Sequence, residues 1–301
     1  MNDMRGVIAP ILTPFAKDGS IARDLWVAHA KWVLGQGAHY LSPFGTTGEA
    51  LSVSIRERMA ALEWLVEAGI PASRLMPGTG LTAVPDTAEL SAHATQLGCA
   101  AVMVLPSFFY PATGEDGQAR YFSEVIERVG SGRLRMILYH IPQNSGVPVP
   151  PALVKRLNSA FPATVVAYKD SGGNWDNTQA VIDAVPALSV FPGSESFLTK
   201  GLSSGGAGCI SATVNVNAAA IRAVYDGASA GRDVAALDAA MKSFRKTVQD
   251  AGLIAGMKAV LAVRSGDARW LNLRAPHLDA TLAAGQALLA TLGAAADHIG
   301  K

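Results

Sequence analysis

Short, mainly apolar runs alternate with longer helical patterns along most of this chain, and that alternation limits the fold more than any other feature. The runs are "GVIAPILTP" (6–14), "AHYLSPFG" (38–45), "RLMPGTG" (74–80), "AAVMVLP" (100–106), "LRMILYHIP" (134–142), "TVVAYKD" (164–170), "LSVFPG" (188–193) and "AGCISAT" (207–213). A strand apolar on both faces must be covered on both faces, which is the condition of a parallel sheet wrapped by helices. The clearest helix is "SIRERMAALEWLVEAG" (54–69). Ile55, Met59, Leu62 and Val66 recur at helical spacing, Ser54 and Glu57 have the spacing of a capping box, and Gly69 ends the run. Further helices are predicted over 22–35, 83–97, 116–129, 150–159, 175–184 and 195–204.

Eight strand candidates favour a closed (β/α)₈ TIM barrel over an open doubly wound sheet. No GxGxxG or GxxxxGK[ST] follows the first strand, so nucleotide-binding sheets are disfavoured. Beyond about residue 215 the strands stop and Ala/Leu-rich helical patterns take over. The expected organisation is a barrel over 1–215 and a C-terminal helical region over 216–301.

A chain of 301 residues, half of them hydrophobic, suits such a barrel. Its net charge of +1 gives no basic stripe for nucleic acid or an anionic membrane. No apolar run reaches membrane-spanning length, and the start "MNDMRGVIAPILTPF" does not read as an export leader. Cys99 and Cys209 share no metal-ligand spacing, and the six histidines are scattered. A reduced, cytoplasmic protein without a metal site is expected.

Barrel chemistry resides at the C-terminal ends of the strands. Four features fall there: "GTTGE" (45–49), Tyr139, Lys169 and "GSES" (193–196). Lys169 ends a buried strand. A desolvated lysine loses its proton more readily, and the neutral amine attacks carbonyls to form a Schiff base, an electron sink for making or breaking the neighbouring C–C bond. The other reading is a lysine that reaches solvent or pairs with Asp170. "GTTGE" offers backbone N–H groups and hydroxyls to a small carboxylate, or is an ordinary turn. Tyr139 carries protons, or is a core tyrosine. His140 faces the other side of its strand and reads as structural. Glu49 reads as support for the turn or helix start.

Together these segments resemble the dihydrodipicolinate synthase / N-acetylneuraminate lyase family of pyruvate-dependent class I aldolases. The resemblance spans "PILTPF", "GTTGE", "ILYHIP", "YKDSGGN" and "GCISATVNV". It implies Lys169 as the Schiff-base lysine and Tyr139 as the proton-relaying phenol, with Thr46 as the relay hydroxyl. By the same resemblance Thr47 corresponds to the pyruvate-carboxylate cradle and Ile210 to the eighth-strand residue that lines the pyruvate pocket. The resemblance also implies no metal or organic cofactor, and a homo-oligomer built as a dimer of dimers.

Three departures from the family pattern bear on substrate. Phe108 stands where the family carries a tyrosine that reaches into the neighbouring site, leaving Tyr110 as the possible relay substitute. Asn144 stands where dihydrodipicolinate synthases carry a carboxylate-binding arginine, which is not a conservative exchange. After Gly193 the sialic-acid lyases carry an Asp-Glu pair. Here Glu195 and Ser196 occupy that region, where they would bind hydroxyls of a shorter polyol. The expected substrate is a hydroxylated 2-keto(-3-deoxy) acid with pyruvate as the retained half. The alternatives are 4-hydroxy-tetrahydrodipicolinate synthase, a keto-acid dehydratase and a non-catalytic keto-acid-binding paralogue.

Overall fold

Each buried strand alternates its side chains between two apolar environments. The structure, a computed structural model, describes residues 4–300, so the outermost positions of the two expected regions lie outside it. Its strands are β1 (Gly6–Ala9), β2 (Tyr40–Leu41), β3 (Val102–Val104), β4 (Met136–His140), β5 (Val165–Asp170), β6 (Ser189–Pro192) and β7 (Gly208–Ile210). Ile8, Ile137, Tyr139, Ala167, Phe191 and Ile210 face one cluster inside the ring. Val7, Leu138, Tyr168, Val190 and Cys209 face a second cluster between the strands and the surrounding helices. This is why the runs read as continuously apolar.

The strands are parallel, in the orders β2-β1-β7 and β3-β4-β5-β6. Two seams close them into a barrel. At one, the Ala207 N–H donates to the Val190 carbonyl at 2.8 Å, joining β6 to β7. At the other, the expected third strand (74–80) forms only isolated bridges, Leu41↔Leu75 and Gly78↔Met103. Its backbone nevertheless bonds both neighbours: Met76 N–H to Leu41 O at 2.8 Å, and Thr79 N–H to Met103 O at 3.0 Å. The segment holds Pro77, Gly78 and Gly80, which interrupt a regular ladder without opening the ring.

The helices are α1 (Arg23–Gly35), α2 (Ile55–Glu67), α3 (Val84–Leu97), α4 (Gly114–Val129), α5 (Pro142–Ser145), α6 (Pro151–Ala160), α7 (Trp175–Ala184), α8 (Leu198–Ser203), α9 (Val214–Ser229), α10 (Ala235–Asp250), α11 (Leu253–Ser265) and α12 (Leu282–Leu292). The capping box of α2 is formed: Ser54 Oγ accepts from Glu57 N–H, and Glu57 Oε2 accepts from Ser54 N–H at 2.9 Å. The expected boundary at 215/216 falls inside α9. Helices α10 to α12 build a third apolar cluster around Phe244, Met257, Val260 and Trp270, which takes in Leu12 from the loop after β1. Helix α11 thereby comes to lie against the end of the barrel from which the strands' C-termini emerge. Among the described residues, no helix is long and apolar enough to cross a membrane. Cys99 and Cys209 are unpaired, and burial pushes both thiols up, Cys99 to about 12.

Candidate active site

The pairing of β4 with β5 sets Tyr139 directly beside Lys169, two residues in register whose side chains share the inner face. Lys169 is 4% exposed, and its Nζ lies 4.2 Å from the centre of the Tyr139 ring. The Asp170 carboxylate is not available to it. Asp170 Oδ1 accepts from Gly172 N–H at 2.8 Å, and Oδ2 accepts from Asn177 at 2.9 Å and Thr178 at 2.8 Å, all on the opposite face of β5. The lysine is therefore a buried amine over an aromatic ring, neither solvent-reaching nor paired with its sequence neighbour.

Thr46 enters from the turn after β2. Its Oγ1 and the Tyr139 hydroxyl share a hydrogen bond of 3.2 Å. Burial alone would push the Tyr139 phenol up. The positive charge of Lys169, with hydrogen bonds involving Thr46, Ser171 and Lys169, outweighs burial and holds the phenol below its ordinary value of 10.0.

The "GTTGE" turn is fixed from within and from outside. Gly48 N–H donates to Gly45 O at 3.1 Å, and Thr13 Oγ1 donates to Gly48 O at 2.8 Å. Glu49 supports the turn as expected, but through a distant partner. It is buried in the left-handed region at φ 55°, and its carboxylate accepts from Lys258 Nζ on α11 and from Arg274 N–H at 3.0 Å.

A cavity of about 510 Å³ opens at this end of the barrel, lined by Thr46, Thr47, Tyr139, Asn144, Lys169, Ser171, Gly193 and Ile210 among others. Gly193 is required by space, since a Cβ there would meet Ser171 Oγ at 2.1 Å. A neighbouring cavity of about 360 Å³ shares Thr46, Tyr139, Ile141 and Asn144 and has apolar walls that include Met103, Leu105, Phe108 and Ile254. The sequence-predicted residues Lys169, Tyr139, Thr46, Thr47, Ile210, Asn144 and Gly193 thus converge on one space.

Two predicted residues do not join them. Glu195 is fully buried and absent from the lining, whereas its neighbours Ser194 and Ser196 are present. Its carboxylate accepts from the Ser211 and Thr213 hydroxyls and from Arg245 Nη1, so the expectation that it binds substrate hydroxyls is corrected: its oxygens are already occupied. Tyr110 is 55% exposed beside Phe109, which is 82% exposed, and it lines neither cavity of its own chain. His140 is structural as expected. Its Nδ1 accepts from Val149 N–H at 3.0 Å, and burial keeps the ring below its ordinary value of 6.5.

Sequence reasoning missed Ser171 and Arg245. Ser171 follows the "YKD" run directly and was legible as part of the strand's C-terminal end. Arg245 sits on an amphipathic helix, where no motif marks it. Among the described residues, no group of three or more His, Cys, Asp or Glu is placed to hold a metal ion.

A (β/α)₈ barrel that gathers a buried lysine and a hydrogen-bonded phenol at the C-terminal ends of adjacent strands has the architecture of the aldolase/lyase class. The chain belongs to the dihydrodipicolinate synthetase family, whose model matches residues 3–295. It is an enzyme of that family's lyase type. A DapA-like lyase of Chloroflexus aurantiacus is 33% identical over 92% of each chain. The 4-hydroxy-tetrahydrodipicolinate synthase of Rhizobium meliloti is 32% identical over 70% of this chain and 71% of its own. The crystal structure of dihydrodipicolinate synthase from Agrobacterium tumefaciens superposes with a TM-score of 0.87 at 30% identity, covering 95% of this chain and 98% of that one.

Proposed function

We propose that this protein is a class I lyase that forms a Schiff base between Lys169 and the C2 carbonyl of a 2-keto acid, retaining pyruvate as the enamine half. The observation that carries the reading is the register of Tyr139 with Lys169, which puts a phenol held below its ordinary pKa against a buried amine. Lys169 attacks C2 and forms a carbinolamine. Tyr139, coupled to Thr46, gives and takes the proton as water leaves. In the cleavage direction Tyr139 takes the proton of the C4 hydroxyl as the C3–C4 electron pair flows into the iminium, releasing an aldehyde and leaving an enamine. Protonation at C3 and hydrolysis then release pyruvate and restore the amine. Thr47 and the backbone of its turn hold the pyruvate carboxylate, and Ile210 packs against the retained half. The covalent imine replaces an organic or metal cofactor in this scheme.

The substrate reading is a hydroxylated 2-keto(-3-deoxy) acid. It is supported by Asn144 where a synthase would carry arginine, and by the serines 171, 194 and 196 along the cavity. Condensation of pyruvate with aspartate semialdehyde is the second reading, favoured by the relatives named as synthases. The assembly proposed is a homo-oligomer, a dimer of dimers in the cytoplasm, and Tyr110 acts as a relay residue only in that assembly.

The test is reduction with borohydride in the presence of pyruvate, followed by peptide mass analysis. The expected result is one reduced pyruvate adduct on the Lys169 peptide, absent in Lys169→Arg. No adduct would refute the reading. A protected melting transition with pyruvate but no turnover on any keto acid would support a non-catalytic paralogue instead.

A further inference from the structure

Arg245 is the one cation other than Lys169 among the residues lining the reactive cavity, and the mechanism above gives it no task. It projects from α10, the helix that packs over the loops after β6 and β7. It is 8% exposed, an unusual place for a guanidinium without a purpose. Three contacts hold it. Nη1 donates to Ser211 Oγ at 3.0 Å and to Glu195 Oε2 at 3.3 Å, and Nε donates to Gln249 Oε1 at 3.3 Å. Nη2 has no hydrogen-bond partner among the described residues. A guanidinium carries five N–H donors in a planar fork, so the pair of donors on Nη2 remains unused in a residue that lines the cavity.

The charges nearby are arranged in one direction. Glu195 is fully buried and its oxygens are taken by Ser211, Thr213 and Arg245. Of the pair, Arg245 lines the cavity and Glu195 does not. The third charged residue of the lining, Asp170, spends its carboxylate on Gly172, Asn177 and Thr178. The lining thus offers an incoming ligand two cations, Lys169 and Arg245.

We propose that Arg245 binds the far end of the aldehyde half, and that this end carries a carboxylate. The proposal rests on the reading of Lys169 as the imine-forming lysine. A carboxylate accepts from the open Nη2 edge as a charge-assisted bond, stronger than the bond a terminal hydroxyl would make. The guanidinium that the sequence lacks at Asn144 is thus supplied from a different element. The predicted substrate class is a 2-keto acid with a second, distal carboxylate. Glu195 serves as the residue that aims and holds Arg245.

The experiment compares matched aldehydes with pyruvate in the condensation direction. One pair is 2-hydroxy-3-oxopropanoate against glyceraldehyde. The other is the four-carbon pair that differs in the same way, a terminal carboxylate against a terminal hydroxymethyl. In the native enzyme, kcat/KM is expected to favour the carboxylated member of at least one pair by about tenfold to a hundredfold, the size of a charge-assisted bond. The double variant Arg245→Gln/Glu195→Gln removes the pair without stranding a buried charge, and the preference should fall to within about twofold. Borohydride trapping of pyruvate by the same double variant should be unchanged, which shows that the site is folded. No preference in either pair, or a preference that survives in the double variant, overturns the proposal while pyruvate trapping stands. Loss of trapping in the native enzyme overturns the underlying reading and this proposal together.

Discussion

The amine of Lys169 and the phenol of Tyr139 are each costly to bury alone and are useful only together. Their separation follows from strand register, and their electrostatics follow from Lys169's charge acting on the phenol at short range. Tyr139→Phe is expected to lower kcat about 10²- to 10⁴-fold, the usual worth of a positioned acid–base group, while the borohydride adduct still forms more slowly. Thr46→Val removes a hydrogen bond that favours the phenolate. The phenol pKa should therefore rise, and the limb of the kcat/KM–pH profile that it governs should move to higher pH. A profile that does not move would show that Thr46 does not act on Tyr139.

At the scale of single elements, α2 shows how local sequence and a distant arginine combine. Ser54 caps the helix and Glu57 returns the bond, while Arg274 donates to Glu57 Oε2 at 3.0 Å from the C-terminal region. That contact and the cap lower Glu57 from 4.5 to about 2. A carboxylate depressed in the fold contributes stability above its unfolded value, and the contribution is lost as pH falls from 4.5 through 2. The side chain is 36% exposed, so solvent screening reduces the full linkage value, and Glu57→Gln should cost about 1 kcal/mol at neutral pH. The difference between variant and native should vanish near pH 2. Ser54→Ala should cost about 1 kcal/mol as well, measured by urea denaturation.

Over the whole molecule, the C-terminal helices are coupled to the site by buried polar contacts. Lys258 on α11 is fully buried with Glu49, which fixes the turn bearing Thr46 and Thr47. Lys258→Met leaves that carboxylate unpaired in the interior and should destabilise the protein by about 3–5 kcal/mol, with a raised KM for pyruvate. Glu49→Gln combined with Lys258→Met should recover most of the stability. If it does not, the lysine's packing matters more than its charge. A second junction is His29, buried with Nε2 2.9 Å from Asn215 Oδ1. Burial lowers its pKa from 6.5 to about 4. The fold holds the neutral ring, so the unfolded chain takes up the proton first as pH falls. Stability should decline between pH 6.5 and 4 by roughly 3 kcal/mol. Denaturation midpoints across that window should change less in His29→Gln.

Much of this was readable along the chain because local rules carry it. The strand ends, the seven helix positions before residue 205, the capping box and the approach of Lys169, Tyr139 and the "GTTGE" turn to one rim follow from periodicity and from barrel geometry. Where sequence reasoning failed, the deciding contact was long-range. Glu195 read as a ligand group because a polar side chain after a barrel strand usually faces the cavity. Its fate was set by Ser211, Thr213 and Arg245, which only packing brings together. The third strand kept its place but not its ladder, since proline and glycine spacing shows a weak strand without showing that its neighbours will hold it. The sequence by itself determined the architecture and put Lys169 and Tyr139 at strand ends, because hydrophobic periodicity and position along a strand are local properties. Only the tertiary structure decided what surrounds that pair, because hydrogen-bond partners of buried charges depend on which distant elements meet.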